Sequence, residues 1–231
     1  MSKYVVSYKY PEFINELNRN GYQTIPTDRI EIFPNPEQYH ADMQILKIND
    51  TIFMLKECTE LKREFASSNI IFCSNAAGER YPKNILLNFL YLNRTIYGKL
   101  SNIDSELKNY CLSNNIKMVN LNQGYCRCST LVLKNNAVIT ADASIEKAMK
   151  ENGVDVLKIT EGHIILDGYD YGFIGGASGK VDDNTIIFFG NIENHPDYNL
   201  IYHFCSKHSV NIEIILKNAS LTDIGGIVKV E

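Results

Sequence analysis

One pattern recurs along this chain of 231 residues and restricts its possible folds more than any other feature. An apolar run, a short polar turn, a second apolar run, an amphipathic helix and a third apolar run follow one another in a fixed order. The clearest copy starts at Cys128–Leu133, turns at Lys134–Asn136 and continues as Ala137–Thr140. The Asn pair is the chemistry of a tight hairpin turn. A helix is predicted from Ala143 to Asn152, with Ile145, Ala148 and Met149 on one face and Gly153 as its stop. Val154–Ile159 supplies the third strand.

Three further copies share this order. The first has Met43–Ile48, a turn at Asn49–Asp50, Thr51–Met54, a helix carrying Leu55, Cys58 and Phe65, and Ile70–Cys73. The second has Ile85–Leu92, a turn at Asn93–Arg94, Thr95–Tyr97, a helix beginning near Ser101, and Ile116–Leu121. That helix sets Ile103, Leu107, Tyr110 and Cys111 on one stripe. The fourth turns at Asp182–Asn184 into Thr185–Phe189, then a helix from about His195, then Val210–Ile215. A fifth copy is split between the ends of the chain. Leu221–Val230 gives its first strand, and Tyr4–Ser7, a helix over Pro11–Asn20 and Tyr22–Ile25 give the rest. Repeats of this kind stack on their neighbours to bury a shared core. Pairing of the terminal strand with the initial one closes the set and leaves no sheet edge exposed. The expectation is one domain over residues 1–231, an α/β propeller of five pseudo-symmetric ββαβ units closed by its own termini.

The units are marked by the residues that open their first strands: Asp42, Asn84, Cys128, Gly176 and Asp223, spaced by about 45 residues. In a closed ring these converge on the symmetry axis, and a site is expected at that mouth.

Composition narrows the partners. The formal charge is -4, and no Lys or Arg block is present. Nucleic-acid binding, which needs clustered positive charge, is therefore not expected. No stretch reaches the roughly 18 apolar residues of a membrane span, and the N-terminal segment has no apolar leader. A cytoplasmic protein without cofactor or metal, acting on a small cationic molecule, fits best. The six cysteines are scattered through apolar segments and read as reduced, buried thiols.

A five-unit ββαβ ring closed by its termini resembles the pentein superfamily of guanidino-group-modifying enzymes. That superfamily includes arginine deiminase, dimethylarginine dimethylaminohydrolase, agmatine deiminase and the amidinotransferases, with a non-catalytic ribosomal anti-association factor. More narrowly, the chain resembles a bacterial family known only by this fold. The resemblance implies a nucleophilic Cys at the start of the last unit, a His two units earlier as general acid/base, and carboxylates at other unit starts that hold a planar cation. Here the last unit reads Leu221-Thr222-Asp223 where the hydrolases have Cys after Leu-Thr. The third reads Gly124–Thr130 without a His. The usual residues are thus absent from their usual places. A near-symmetric ring admits a rotated set: His40-Ala41-Asp42 in the first unit, Cys128 two units later, and Asp223 one unit before His40.

Each of these residues has a plainer reading. Cys126 and Cys128, two apart on a predicted strand, share a face and read as buried thiols by default. His40 is either tuned by a neighbouring carboxylate or simply a hydrogen-bonded loop residue. Asp42 and Asp223 hold a substrate or cap turns. Gly176, with Gly172, Gly175 and Gly179, makes room for a ligand or permits a bend. Ser74–Pro82 is a surface loop or a lid whose Arg80 and Lys83 meet a substrate carboxylate. Two functions remain open: a guanidino or amidine hydrolase or transferase using Cys128 and His40, with Asp42, Asn84, Asp223 and Gly176 binding substrate, or a catalytically silent module that binds a small ligand or a protein.

Overall fold

The structure is a computed structural model that describes residues 2–65 and 69–231. It is a mixed α/β fold with five three-stranded sheets among these residues. In the first unit, β3 (Ile45–Ile48) pairs antiparallel with β4 (Thr51–Met54), which pairs parallel with β5 (Asn69–Phe72). The same order holds for β6 (Leu90–Leu92), β7 (Thr95–Gly98) and β8 (Lys117–Asn120). It recurs in β9 (Thr130–Lys134), β10 (Ala137–Thr140) and β11 (Asp155–Lys158). The fourth set is β12 (Ser178–Lys180), β13 (Thr185–Asn191) and β14 (Asn211–Ser220). The fifth joins the chain ends. In it β15 (Ile227–Lys229) pairs antiparallel with β1 (Lys3–Val6), Val5 opposite Val228, and β1 pairs parallel with β2 (Gln23–Pro26).

Among the described residues, α-helices cross over from the middle strand to the third in four of the five units, two of them capped by an aspartate. Helix α1 (Pro11–Arg19) opens on proline, whose missing N–H costs nothing in a first turn, and buries Phe13 and Leu17. Helix α2 is the single turn Ala41–Gln44 that precedes β3. Helix α3 (Ser105–Ser113) begins later than the expected Ser101, because the Asp104 carboxylate accepts the Glu106 N–H and fixes the N-cap there. Helix α4 (Ala143–Glu151) is capped by Asp142, which accepts from Ser144 and Ile145. Helix α5 (Tyr198–Lys207) starts three residues after His195, following a separate tight turn at Ile192–Asn194.

Two elements differ from expectation. The α-helix expected after β4 is, within the described residues, a 3₁₀ turn at Leu61–Phe65; residues 66–68 lie outside the description. The turn buries Leu61 and Phe65, and Asp28 accepts the N–H groups of Glu60 and Leu61 at its start. The expected strand Ile85–Leu92 shrinks to Leu90–Leu92, the preceding residues being turns. An uninterrupted apolar run does not itself distinguish a strand from a buried turn.

The cores lie between neighbouring sheets. Leu90 and Tyr97 pack with Val138 and Ile145, Leu131 and Ile139 with Ile186 and Phe188, Ile187 and Phe189 with Tyr4 and Val6, and Val5 and Val228 with Ile45 and Phe53. Each fully buried Phe or Ile contributes roughly 1.5–3 kcal/mol. All six cysteines are free and buried.

Candidate functional site

The first strands are entered through a single helical turn in three units. Met43 N–H donates to His40 C=O, Ser129 N–H to Tyr125 C=O, and Ala177 N–H to Phe173 C=O. These turns are tied into one hydrogen-bonded circuit. Gly176 N–H donates to Cys128 C=O (3.0 Å), Ile224 and Gly226 N–H donate to Gly176 C=O (3.0 and 2.8 Å), and Asp42 N–H donates to Gly225 C=O (3.1 Å). Asn88 completes it. Its Nδ2 donates to Asp42 C=O (3.4 Å), and its Oδ1 accepts the N–H groups of Arg127 (2.9 Å) and Cys128 (3.3 Å). The circuit passes through Asp42, Cys128 and Gly176 and brackets Asp223 between Gly176 and Gly225. It passes through Asn88, not Asn84.

Strand register explains which side chains converge. Ile45 pairs with Met54, Thr130 with Thr140, Ser178 with Phe188 and Ile227 with Val6. Two residues before each stand Met43, Cys128, Gly176 and Gly225, which are therefore the equivalent positions. Asp42 is one step short of that register and Asp223 two steps short, so the two carboxylates reach different sides of the circuit.

On one side a cavity of about 260 Å³ is lined by Cys128, His40, Asp223 and Glu37, with Met43, Leu166, Tyr125, Tyr169, Asp170, Tyr171 and Phe173. Among the described residues no Lys or Arg lines it. Asp223 accepts the N–H groups of Phe173 (2.8 Å) and Gly225 (2.9 Å). Its Oδ1 lies 4.0 Å from His40 Nδ1. Gly176 permits this, since a Cβ there would overlap the Asp223 carboxyl, and Gly225 has φ +83° and backs directly onto His40. The Cys128 thiol accepts Asn88 Nδ2–H at 2.8 Å.

Glu37 has no counterpart among the sequence-derived candidates. It ends a 3₁₀ turn at Asn35–Glu37, and its C=O accepts His40 N–H, so the loop that presents His40 presents Glu37 too. The carboxylate is 4% exposed and accepts Tyr169 O–H (2.5 Å), Tyr125 O–H (3.3 Å) and Asn84 Nδ2–H (2.8 Å). Asn84, expected at the mouth, instead supports this carboxylate from behind, together with Tyr125 (2.7 Å). Tyr125 stacks between Tyr81 and Phe173, at ring separations of 5.7 and 6.1 Å.

Burial controls the electrostatics. It raises Asp223 to about 6, against the two N–H groups that favour its carboxylate. It raises Asp42 to about 7, helped by the nearby Asp223, while Cys128 and Arg127 pull it down. The Cys128 thiol rises well above its ordinary value through burial and then the two aspartates. His40 falls to about 4 through burial, against the attraction of Glu37. At neutral pH, then, His40 is neutral, the thiol protonated and Asp42 shared between its two states. Among the described residues His40 Nε2 is buried without a hydrogen-bond partner, and no N–H or O–H group reaches the buried Asp42 oxygens, which have the Cys128 thiol beside them.

Other candidates lie elsewhere. Cys126 does not share a face with Cys128: residues 126–129 are a turn, and Cys126 packs into the core with Leu90, Leu92 and Tyr97. The Ser74–Pro82 segment is anchored by Asp104, which accepts from Ser74 and Asn75, and its Tyr81 stacks on Tyr125 of the cavity wall. Arg80 is exposed beside Glu79, and neither it nor Lys83 lines the cavity. Among the described residues no group of three metal-ligating side chains comes together, and no helix is long and apolar enough to cross a membrane.

The model of the family of unknown function DUF6873 matches residues 5–228. No curated protein sequence matches the chain. Solved structures share its fold. The amidinotransferase SxtG of the saxitoxin biosynthetic pathway of Microseira wollei superposes with a TM-score of 0.60 at 11% identity, covering 100% of this chain and 94% of its own. A Cys-to-Ser variant of dimethylarginine dimethylaminohydrolase (DDAH) from Pseudomonas aeruginosa, complexed with citrulline, gives 0.57 at 10% identity, covering 98% of each chain. These are pentein-fold, guanidino-modifying enzymes, and the chain has their fold.

Proposed function

The chain belongs to DUF6873, and from that footing we propose that it is a closed five-bladed pentein propeller acting on a small guanidino or amidine compound at the Cys128 chamber. The carrying observation is the chamber's make-up: a thiol, an imidazole and three carboxylates (Glu37, Asp170 and Asp223) within aromatic walls, with no Lys or Arg among its described lining residues. A planar cation satisfies such a site. Glu37 and Asp223 supply countercharge, and Tyr125 and Phe173 supply faces for a flat, positive group.

In this reading the Cys128 sulfur adds to the electrophilic carbon of the bound amidine or guanidine. Its proton passes to a neighbouring base, for which neutral His40 with its free Nε2 and Asp42 beside the thiol are the candidates. The same proton is returned to the departing nitrogen. Water, or an acceptor amine, then displaces the thiol from the covalent intermediate. A resting thiol with a raised pKa suits this sequence, because the arriving cation lowers that pKa and activates the sulfur only when substrate is present. With no Arg or Lys on the wall, a substrate carrying a carboxylate near the reacting carbon has no partner. Alkyl or aryl guanidines and amidines are the expected class, ahead of α-amino acids.

Incubation with a panel of such compounds, followed by assay of released amine and of ureido or amide product, tests the reading. Turnover lost in Cys128→Ser supports it; no turnover across the panel sinks the catalytic part. The thiol's deep burial favours one second reading, a binding module that holds the same cations without converting them. A compound that raises the melting temperature and is recovered unchanged would establish it.

A further inference from the structure

Beyond the hydrogen-bonded circuit, where the first strands run on, lies a second cavity of about 560 Å³ bordered by β3, β6, β9, β12 and β15. We propose that it is an oxyanion site that takes a carboxylate or phosphate group on Arg127. The proposal does not require turnover at Cys128, although Asp42 borders both sites.

Arg127 follows from the register described above. It occupies the same step as Asp42 and Gly175, and all three line this cavity. Its guanidinium has no hydrogen-bond or ion-pair partner among the described residues, although its backbone N–H is held by Asn88. The side chain is enclosed deeply enough for desolvation to lower its pKa, yet it keeps partial exposure. Arg127 lines the cavity, which gives its side chain a route to solvent. A desolvated guanidinium without a counter-ion is costly, and its planar fork matches two oxygens of one anionic group.

Asp42 points to a ligand independently. It is 1% exposed, among the described residues no N–H or O–H group reaches either carboxyl oxygen, the Cys128 thiol being the polar group beside it, and it lines the same cavity. It is not within ion-pair distance of Arg127. An oxyanion between them accepts from the guanidinium, and from the Asp42 carboxyl in its protonated state, which holds about half the population at neutral pH. Three lysines line the cavity further out. Lys47 donates to Val230 C=O and Lys180 pairs with Asp183, while Lys229 has no hydrogen-bond or ion-pair partner among the described residues. The opposing acids, Asp182 and Asp183, belong to the β12–β13 turn, where Asp182 accepts Asn184 N–H.

The test is titration of the intact protein with inorganic phosphate and, separately, with acetate, against chloride at equal ionic strength, read by calorimetry and melting temperature. Saturable binding of either is expected: phosphate alone identifies a phosphoryl group, acetate alone a carboxylate. Arg127→Gln should weaken it by about tenfold or more, and Arg127→Lys, which keeps charge without the fork, by less. Lys229→Ala, on the exposed side of β15, should weaken it a few-fold and serves if the Arg127 variants do not fold. Neither anion saturating beyond chloride, or Arg127→Gln binding as wild type, overturns the proposal.

Discussion

Asn88 Nδ2 donates to the Cys128 sulfur at 2.8 Å while the Oδ1 of the same side chain holds the Arg127 and Cys128 N–H groups. One buried amide thus fixes both the thiol and the turn that carries it. Asn88→Ala leaves two backbone donors without acceptors, and an orphaned buried donor costs about 1–3 kcal/mol. Denaturant unfolding should show a loss of about 2–4 kcal/mol, with Cys128 becoming more accessible to neutral thiol reagents.

The buried acids should make stability depend on pH. Asp42 and Asp223 have ordinary values of 3.8 and folded values of about 7 and about 6. A raised carboxyl stabilises the fold below its unfolded pKa and loses that contribution as pH rises through its folded pKa. His40, lowered from 6.5 to about 4, acts oppositely: its contribution is lost as pH falls from about 6.5 to about 4. Two acids outweigh one imidazole between pH 4 and 6, and Asp42 alone titrates near 7. Wild type should therefore lose stability from pH 5 to 8. Asp42→Asn should flatten that slope and gain on the order of 2–4 kcal/mol relative to wild type at pH 8. Chemical denaturation of both proteins across that range checks the sign; an Asp42→Asn variant less stable than wild type at pH 8 refutes it.

A methyl group at position 176 would overlap the Asp223 carboxyl. Gly176→Ala should displace Asp223 from Phe173 and Gly225, cost about 1–3 kcal/mol, and weaken binding of a cationic ligand more than it weakens folding. Guanidine-ligand titration beside denaturation separates the two effects.

Much of the scaffold was legible because it rests on local chemistry. The Asn135–Asn136 turn, the Asp142 cap and the apolar stripe of α4 each announce themselves within a few residues. So does the partner of the C-terminal strand, since Leu221–Val230 has no middle strand after it. The site was less legible because register decides it. Asp42, Cys128 and Asp223 look alike as residues opening a strand, yet pairing puts them at three different steps. Glu37 gave no signal: it follows Pro34 and Pro36 in a stretch that reads as loop, and its role comes from Tyr125, Tyr169 and Asn84 meeting it from distant segments. Asn88 was hidden inside an apolar run that reads as strand.

In the proposed function the Cys128 chamber selects a planar cation and presents it to the thiol. The most direct measurement of this selection is the rate at which Cys128 is alkylated by 2-chloroacetamidine relative to neutral 2-chloroacetamide, located by peptide mass spectrometry. The amidinium should react with Cys128 at least about tenfold faster, and Glu37→Gln, which removes the countercharge while keeping the shape, should abolish most of that preference. Equal rates for the two reagents, or labelling of other cysteines with Cys128 untouched, would contradict it.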